Sequence, residues 1–377
     1  MCIFGMVLAL PGTLFGIPAW TSSVGCDVAD QANLLLIFFT GQLTCTAAAG
    51  IAVDRVGAQR VLMTGAALLT VGFLLLSRAG SPVPAGVAIA LLAAGGSAVN
   101  AASNTLVSVT FGPRRGAMLS LMGLACAAGA FAAPFVLASP EASAVALRLN
   151  VLAVAGLALT LVPMTVAQAP WDAVGITLSA MLALARDRRL GGLIVWLGLE
   201  FGLEAVLAGW SAAYALAVMP GGAGALMVAY YWGGLAIGRA CTPLILGRFR
   251  KLTTVAGATF VASIGVAVML LAPTPLALAT GVTLAGLAVG PLAPTIIAVA
   301  GDRYPKQSGL AIGLLLSVAQ VGGMVLPWLT GRTAIMMGFR TAMVVPLAAA
   351  MALSASASVW RILRPARAMA RSRSETA

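Results

Sequence analysis

The chain is a succession of apolar runs, each near the roughly 20 residues needed to cross a bilayer, separated by short polar breaks. In order they predict spans over residues 2–20, 33–53, 60–77, 84–111, 117–138, 145–167, 191–218, 222–246, 253–272, 275–300, 309–330 and 338–360. The expectation is an all-α membrane protein of twelve transmembrane helices. One run departs from the rest: within Trp196 to Tyr214, WLGLEFGLEAVLAGWSAAY, the glutamates Glu200 and Glu204 lie four residues apart, hence on one helical face.

The breaks carry most of the charge. Of the 22 arginines and lysines, Arg239 lies deep within a span. Placing both termini on one side gives the opposite side only Arg78, Arg148, Arg332 and Arg340, which leaves seventeen for the first side. By the positive-inside rule both ends are then cytoplasmic, in a bacterial-type inner membrane. Composition agrees: the chain is 61% hydrophobic and 8% charged, with mean hydropathy +1.04, where soluble domains carry about 25% charged residues. A net charge of +12 brings nucleic acid to mind. The basic residues, however, form short clusters between apolar runs rather than one face, so orientation explains them and no nucleic-acid partner is expected. The first run begins at Met1 without a charged leader and continues into further spans, so no cleavable signal is expected. It also lacks a preceding cytoplasmic tail, and the natural start is expected upstream.

The chemistry on offer is narrow. Cys2, Cys26, Cys45, Cys126 and Cys241 fall in or near separate spans with no CxxC pair, and the chain has no histidine. No metal, cofactor or disulfide framework is expected. The commonest general base is missing, and no Gly-rich phosphate loop replaces it, so no enzyme is expected.

The chain also repeats itself. Gly116, Gly129 and Pro134 of span 5 recur as Gly309, Gly322 and Pro327 of span 11, each 193 residues later. Arg148 and Arg340 open spans 6 and 12, while Gly41 and Gly50 match Gly238 and Gly247. This predicts two pseudo-symmetric six-helix bundles, 1–167 and 191–377, the second ending in a basic tail. They are joined by a polar segment, 168–190, lying along the cytoplasmic surface.

Parallel six-span repeats are the plan of the major facilitator superfamily, whose substrate site lies at the midplane between halves. The loop GIAVDRVGAQR, Gly50 to Arg60, resembles that superfamily's signature G-x-x-x-D-R-x-G-x-x-R. In that reading Gly50 admits close helix approach, Asp54 caps the next helix or pairs with an arginine, and Gly57 permits the reversal; with Arg55 and Arg60 they form a conformational gate. GRFRK, Gly247 to Lys251, is a weaker second copy without the aspartate.

More narrowly, the chain resembles the fucose/galactose/glucose-proton symporter branch. The stretches that carry this are GLEAVLAGW from Gly202 with Tyr214, YYWGGLAIGR from Tyr230, SAVNAASN from Ser97 and GPLAPTI from Gly290. The resemblance implies a monomeric transporter that takes a small-molecule substrate and protons and works in a lipid bilayer. Span 1 lacks the acid that symporters of that branch carry, and span 4 offers Asn100 and Asn104 instead, so proton coupling falls to Glu204 or Glu200 with Arg239.

The cavity candidates are Thr13, Asn100, Asn104, Glu200, Glu204, Trp210, Tyr214, Tyr230, Tyr231, Trp232, Arg239, Thr295 and Gln320. Amides both donate and accept, and aromatic faces cover the apolar face of a sugar. Several bland alternatives stay open. A glutamate at an interface or paired to an arginine needs no chemistry, and buried amides also bind helices together. Trp196 is expected in an interfacial aromatic belt. Arg239 needs a counterion, and the two glutamates on the neighbouring span are the acids within reach; the bridge is either purely structural or breaks on protonation. Two other functions remain: proton-coupled efflux of a lipophilic compound, and a transporter-shaped sensor that moves nothing.

Overall fold

The computed structural model describes residues 1–111, 115–161, 184, 186–219 and 224–375. Among these the regular elements are helices: α1 (Cys2–Phe15), α2 (Pro18–Val24), α3 (Val28–Val56), α4 (Ala58–Ser77), α5 (Pro82–Thr110), α6 (Arg115–Leu137), α7 (Ala142–Leu161), α8 (Arg188–Val218), α9 (Gly224–Arg248), α10 (Lys251–Leu271), α11 (Pro275–Val289), α12 (Leu292–Arg303), α13 (Ser308–Met337), α14 (Phe339–Ala342) and α15 (Val344–Glu375). Most of the expected linker, 168–183 and 185, lies outside the described residues, as does the end of span 6 from 162.

Among the described residues, eight helices are long and apolar enough to cross a membrane, and α1 with α2 makes a ninth if a bent pair counts as one span. The expected twelve is not reached on that measure for identifiable reasons. In α6 and α7 the described apolar stretches are short, Leu121–Leu137 and Ala142–Ala158. The 25-residue α9 contains Arg239, Tyr230, Tyr231 and Trp232, which lower its hydropathy.

Two expected spans are not single helices. The first turns by 81° between α1 and α2, because Ile17 is extended and Pro18, which has no N–H to donate back, starts a new helix at its first position. The tenth is interrupted at Gly290–Pro291, where both residues keep helical dihedrals. The last helix runs on without a break past the expected end of its span at 360 to Glu375.

Local signals set several other boundaries. Asp27 accepts from Asp30 N while Asp30 reaches back to Asp27 N, a reciprocal cap that starts α3. Gly57, at φ +88°, makes the reversal into α4 that the signature loop predicts. The N-cap position of α4 is Gly57 itself, which has no side chain to cap the helix.

Gly50 does not serve close packing either: a Cβ there would meet nothing within 4 Å. Gly191, Gly247, Gly301 and Gly313, also near the basic ends of the helices, are equally open. At the other end the helices are pressed together. A Cβ at Gly12 would stand 1.9 Å from the Ala208 carbonyl oxygen, one at Gly16 2.7 Å from Ala212 Cβ, and one at Gly209 3.0 Å from Leu35. The end remote from the basic loops is therefore sealed where α1 and α3 meet α8.

Candidate functional site

Along their length, α8 and α9 bring an acid and a base together. Arg239 Nη2 donates to Glu204 Oε2 at 3.1 Å, and both side chains keep some exposure, 38% for the arginine and 22% for the glutamate. The pair is therefore not sealed in a core. One turn earlier, Glu200 is fully buried, and neither carboxyl oxygen has a hydrogen-bond partner. A buried polar group without a partner costs about 1–3 kcal/mol, more when charged, so this conformation leaves Glu200 unsatisfied. Tyr231 Oη and Trp232 Nε1 on α9 are buried and unpartnered as well. Tyr231 lies within electrostatic reach of Glu200, Glu204 and Arg239.

Two further elements complete the surroundings, and neither was singled out from the sequence as part of this pair. Cys126 of α6 sits within electrostatic reach of both Arg239 and Glu204. The interruption at Gly290 packs directly on Arg239, since a Cβ at Gly290 would stand 2.7 Å from the Arg239 backbone nitrogen. The proline in GPLAPTI was the available signal for that break.

The predicted amides lie elsewhere. Asn104 Nδ2 donates to both the backbone oxygen and Oδ1 of Asn100, each at 2.9 Å, and both residues are half-buried on α5. Among the described residues no hydrogen bond joins them to Glu204 or Arg239. Gln320 is half-buried on α13.

Several predicted contacts are sealed in this conformation. Trp210 is wholly buried, donates to the Pro327 carbonyl at 2.9 Å, and stacks obliquely against Phe15 and Phe339. It belongs to the sealed end, where Gly331 leaves room for its ring. Tyr214 is also buried, and its hydroxyl donates to the Met269 carbonyl at 3.0 Å, which ties α8 to α10. Thr295 and Thr13 donate back to their own helices, to Pro291 and Ala9. Tyr230 is exposed on the outside of α9. Trp196 is not in an interfacial belt: it is 4% exposed and meets Trp360 edge-on, ring centres 4.8 Å apart.

At the basic end Tyr304 Oη donates to Asp187 Oδ2 at 2.7 Å. Asp187 also accepts from Arg189 N and so caps α8. The tyrosine hydroxyl and that backbone N–H hold the Asp187 carboxyl below its ordinary value, and Tyr304 is pushed up to about 12 by burial and by the carboxylate it serves.

No family model matches the sequence, and no curated protein does. Solved structures do. A mutant of the nucleoside transporter NupG superposes over 95% of this chain and 98% of its own, with TM-score 0.75 at 13% identity. A bacterial homologue of the human lysosomal transporter Spinster, solved inward-facing and occupied, covers 95% of this chain and 94% of its own, with TM-score 0.75 at 12% identity. The E. coli fucose:proton symporter FucP covers 95% and 97%, with TM-score 0.63 at 20% identity. The chain has the fold of major facilitator superfamily transporters. It is a multi-pass membrane protein of that fold.

Proposed function

We propose that the chain is a secondary transporter that moves a small polar solute, a sugar or sugar-like molecule, by alternating access, coupled to protons through Glu204. One observation carries the reading: the Glu204–Arg239 pair, partly exposed at membrane depth on adjoining helices. An ionisable residue inside a span costs about 3 kcal/mol on insertion scales and marks a substrate or ion path. The close contact of α1 and α3 with α8 at the end remote from the basic loops suits one of the two states that alternating access requires. The pair opens when Glu204 takes a proton, Arg239 is released, and Glu200, unsatisfied behind it, is the second acid in reach. Asn100, Asn104 and Gln320 are half-buried amides suited to hydroxyls, and the fold neighbours named for a nucleoside and for fucose with a proton support a polar solute. Trp210, Tyr214, Tyr231 and Thr295 join the contact surface only if the sealed end opens.

The organisation proposed with it is twelve spans in two six-helix bundles, 1–167 and 191–377, with the linker 168–190 and both termini cytoplasmic in a bacterial-type inner membrane. The repeat supports this in space. A Cβ at Gly129 would stand 1.9 Å from the Cys2 carbonyl oxygen on α1, and one at Gly322 1.8 Å from that of Gly198 on α8. The first helix of each proposed bundle thus meets the fifth through a matching glycine. The gate is assigned to Gly50, Asp54, Arg55, Gly57 and Arg60, and the working unit is a monomer.

Efflux of a lipophilic compound is the second reading, favoured by one observation: Tyr231, within electrostatic reach of the pair, and its neighbour Trp232 are aromatic rings buried on the helix that carries Arg239. A thermal-shift screen of monosaccharides, polyols and lipophilic cations separates the two, because a ligand stabilises by an amount set by its concentration over Kd. The coupling test uses proteoliposomes. Glu204→Gln is expected to keep solute exchange while losing accumulation driven by a pH gradient. Accumulation at the parent rate would remove Glu204 from the coupling step and pass the test to Glu200→Gln. If no solute exchanged through the parent protein, the sensor reading would gain.

A further inference from the structure

We infer that the cavity at the basic ends of α10, α12 and α15 binds the phosphate-bearing headgroup of an anionic phospholipid. This cavity, of about 760 Å3, is lined by Arg250, Lys251, Thr253, Asp302, Arg303 and Arg361 among others. It is separate from Glu204 and Arg239. Three helix ends deliver its charge: Arg250 and Lys251 start α10, Arg303 ends α12, and Arg361 lies on α15 at the end of its span.

The charges do not balance internally. Lys251 Nζ donates to Asp302 Oδ2 at 2.5 Å, and among the described residues this is the cavity's one ion pair. Among the described residues, Arg250, Arg303 and Arg361 form no ion pair with a carboxylate. Like charges gathered in a shared concavity repel one another, and an anion placed between them relieves that repulsion. The first turn of α10, whose residues line the cavity, contains no acid and has no side-chain cap at Arg250, so its positive end is not offset by a side chain there. A phosphate accepts from several arginines at once, which suits this arrangement better than a single carboxylate does.

The surroundings identify the phosphate as a lipid's. From Thr253 at the cavity edge, Gly257, Phe260 and Ile264 follow at helical spacing along one face of α10. Phe260 is 60% and Ile264 41% exposed, which in a multi-pass membrane protein means contact with acyl chains. At Gly257 nothing lies within 4 Å of where a side chain would begin, so the stripe is indented immediately below the cavity. A headgroup in the cavity leaves one acyl chain lying along this stripe. A free anion would have no use for the apolar half. Basic pockets between spans on the side with the basic loops are where anionic headgroups are expected.

The test uses the purified full chain in neutral detergent, where membrane orientation plays no part and no transported solute is needed, so its outcome stands apart from that of the transport reading. Binding of phosphatidylglycerol and of phosphatidylcholine is measured by native mass spectrometry, with inorganic phosphate as competitor. The parent is expected to prefer phosphatidylglycerol, and Arg250→Gln/Arg303→Gln to lose about thirtyfold in that affinity, since each basic group near an anionic surface contributes about 1 kcal/mol. The charge-matched control Arg55→Gln/Arg60→Gln is expected to keep the preference. Should the double variant be unstable, Arg361→Gln alone carries the same expectation at a smaller size. Equal loss in the control would reduce the effect to net charge and overturn the site. Full displacement by inorganic phosphate would overturn the lipid assignment, and so would equal binding of the two lipids by the parent.

Discussion

Arg239 and Glu204, 35 residues apart on adjoining helices, form a hydrogen-bonded ion pair at membrane depth, Nη2 to Oε2 at 3.1 Å. Neither partner is fully buried. Among the described residues the arginine has a single acid bonded to it, so whatever neutralises or displaces Glu204 leaves a cation unpaired.

The first prediction concerns the cost of removing one partner. Arg239→Gln is expected to lower stability by about 2 kcal/mol, less than the 3–5 of a fully buried pair, because both groups are partly solvated. The double variant Arg239→Gln/Glu204→Gln is expected to recover most of that loss. Thermal unfolding in detergent reads both. Additive losses in the double variant would mean that the two residues act separately.

A second prediction follows from Asp187 and Tyr304 at the basic end. The carboxyl is held below its ordinary 3.8 and the phenol is raised from 10 to about 12. A lowered acid contributes stability that is present above its unfolded pKa and lost as pH falls through its folded one. A raised phenol contributes stability that is present below 10 and lost as pH rises through about 12. The contact is therefore constant between 3.8 and 10 and fails on both sides. Tyr304→Phe is expected to cost about 0.5–1 kcal/mol within that window, after allowance for solvent screening, and to flatten the acid and alkaline limbs of a melting-point profile. Unchanged limbs would show that the contact is not made in solution.

The membrane-spanning architecture was legible because hydrophobic length and the placement of arginines are properties of the chain itself. Glu204 and Arg239 were legible for the same reason, as charges with few places to find partners. Trp210 and Tyr214 were not. An aromatic with a polar tip reads the same whether that tip meets a solute or a neighbouring backbone, and here they meet Pro327 and Met269. Gly50 misled for a related reason: a motif glycine fixes where helices can approach, while the conformation decides whether they do. Trp196 was misplaced because its partner, Trp360, is 164 residues away in sequence, beyond any local pattern.

A third prediction separates the polar-solute reading from efflux. Asn104 spends its Nδ2 on Asn100 but keeps its own Oδ1 free of any hydrogen bond among the described residues. Asn104→Ala is expected to weaken a bound sugar-like solute by about 1–2 kcal/mol, or roughly five- to thirtyfold, and a lipophilic cation by less. Equilibrium binding of both to purified protein decides. The opposite order would make efflux the leading reading.

The last prediction concerns the sealed end. A Cβ at Gly12 would lie 1.9 Å from the Ala208 carbonyl oxygen, and two backbones cannot yield as a flexible side chain can. Alanine is the better helix former by about 1 kcal/mol, so Gly12→Ala leaves α1 itself intact and penalises only the state in which α1 and α8 touch at that end. A change felt by one of two states shifts their populations by its own free-energy difference. Ser211, fully buried near this contact with its hydroxyl unpartnered, is a suitable reporter. With native cysteines replaced by serine, Ser211→Cys should react slowly with an impermeant maleimide, and adding Gly12→Ala should speed that reaction severalfold. Gly129→Ala is the comparison. Its Cβ would meet the Cys2 carbonyl at 1.9 Å, a contact proposed to lie within one bundle and to persist in both states. It is expected to lower the melting temperature without exposing Ser211. If Gly12→Ala reacted no faster than its parent while remaining folded, α1 and α8 would not be the elements that part when this end opens.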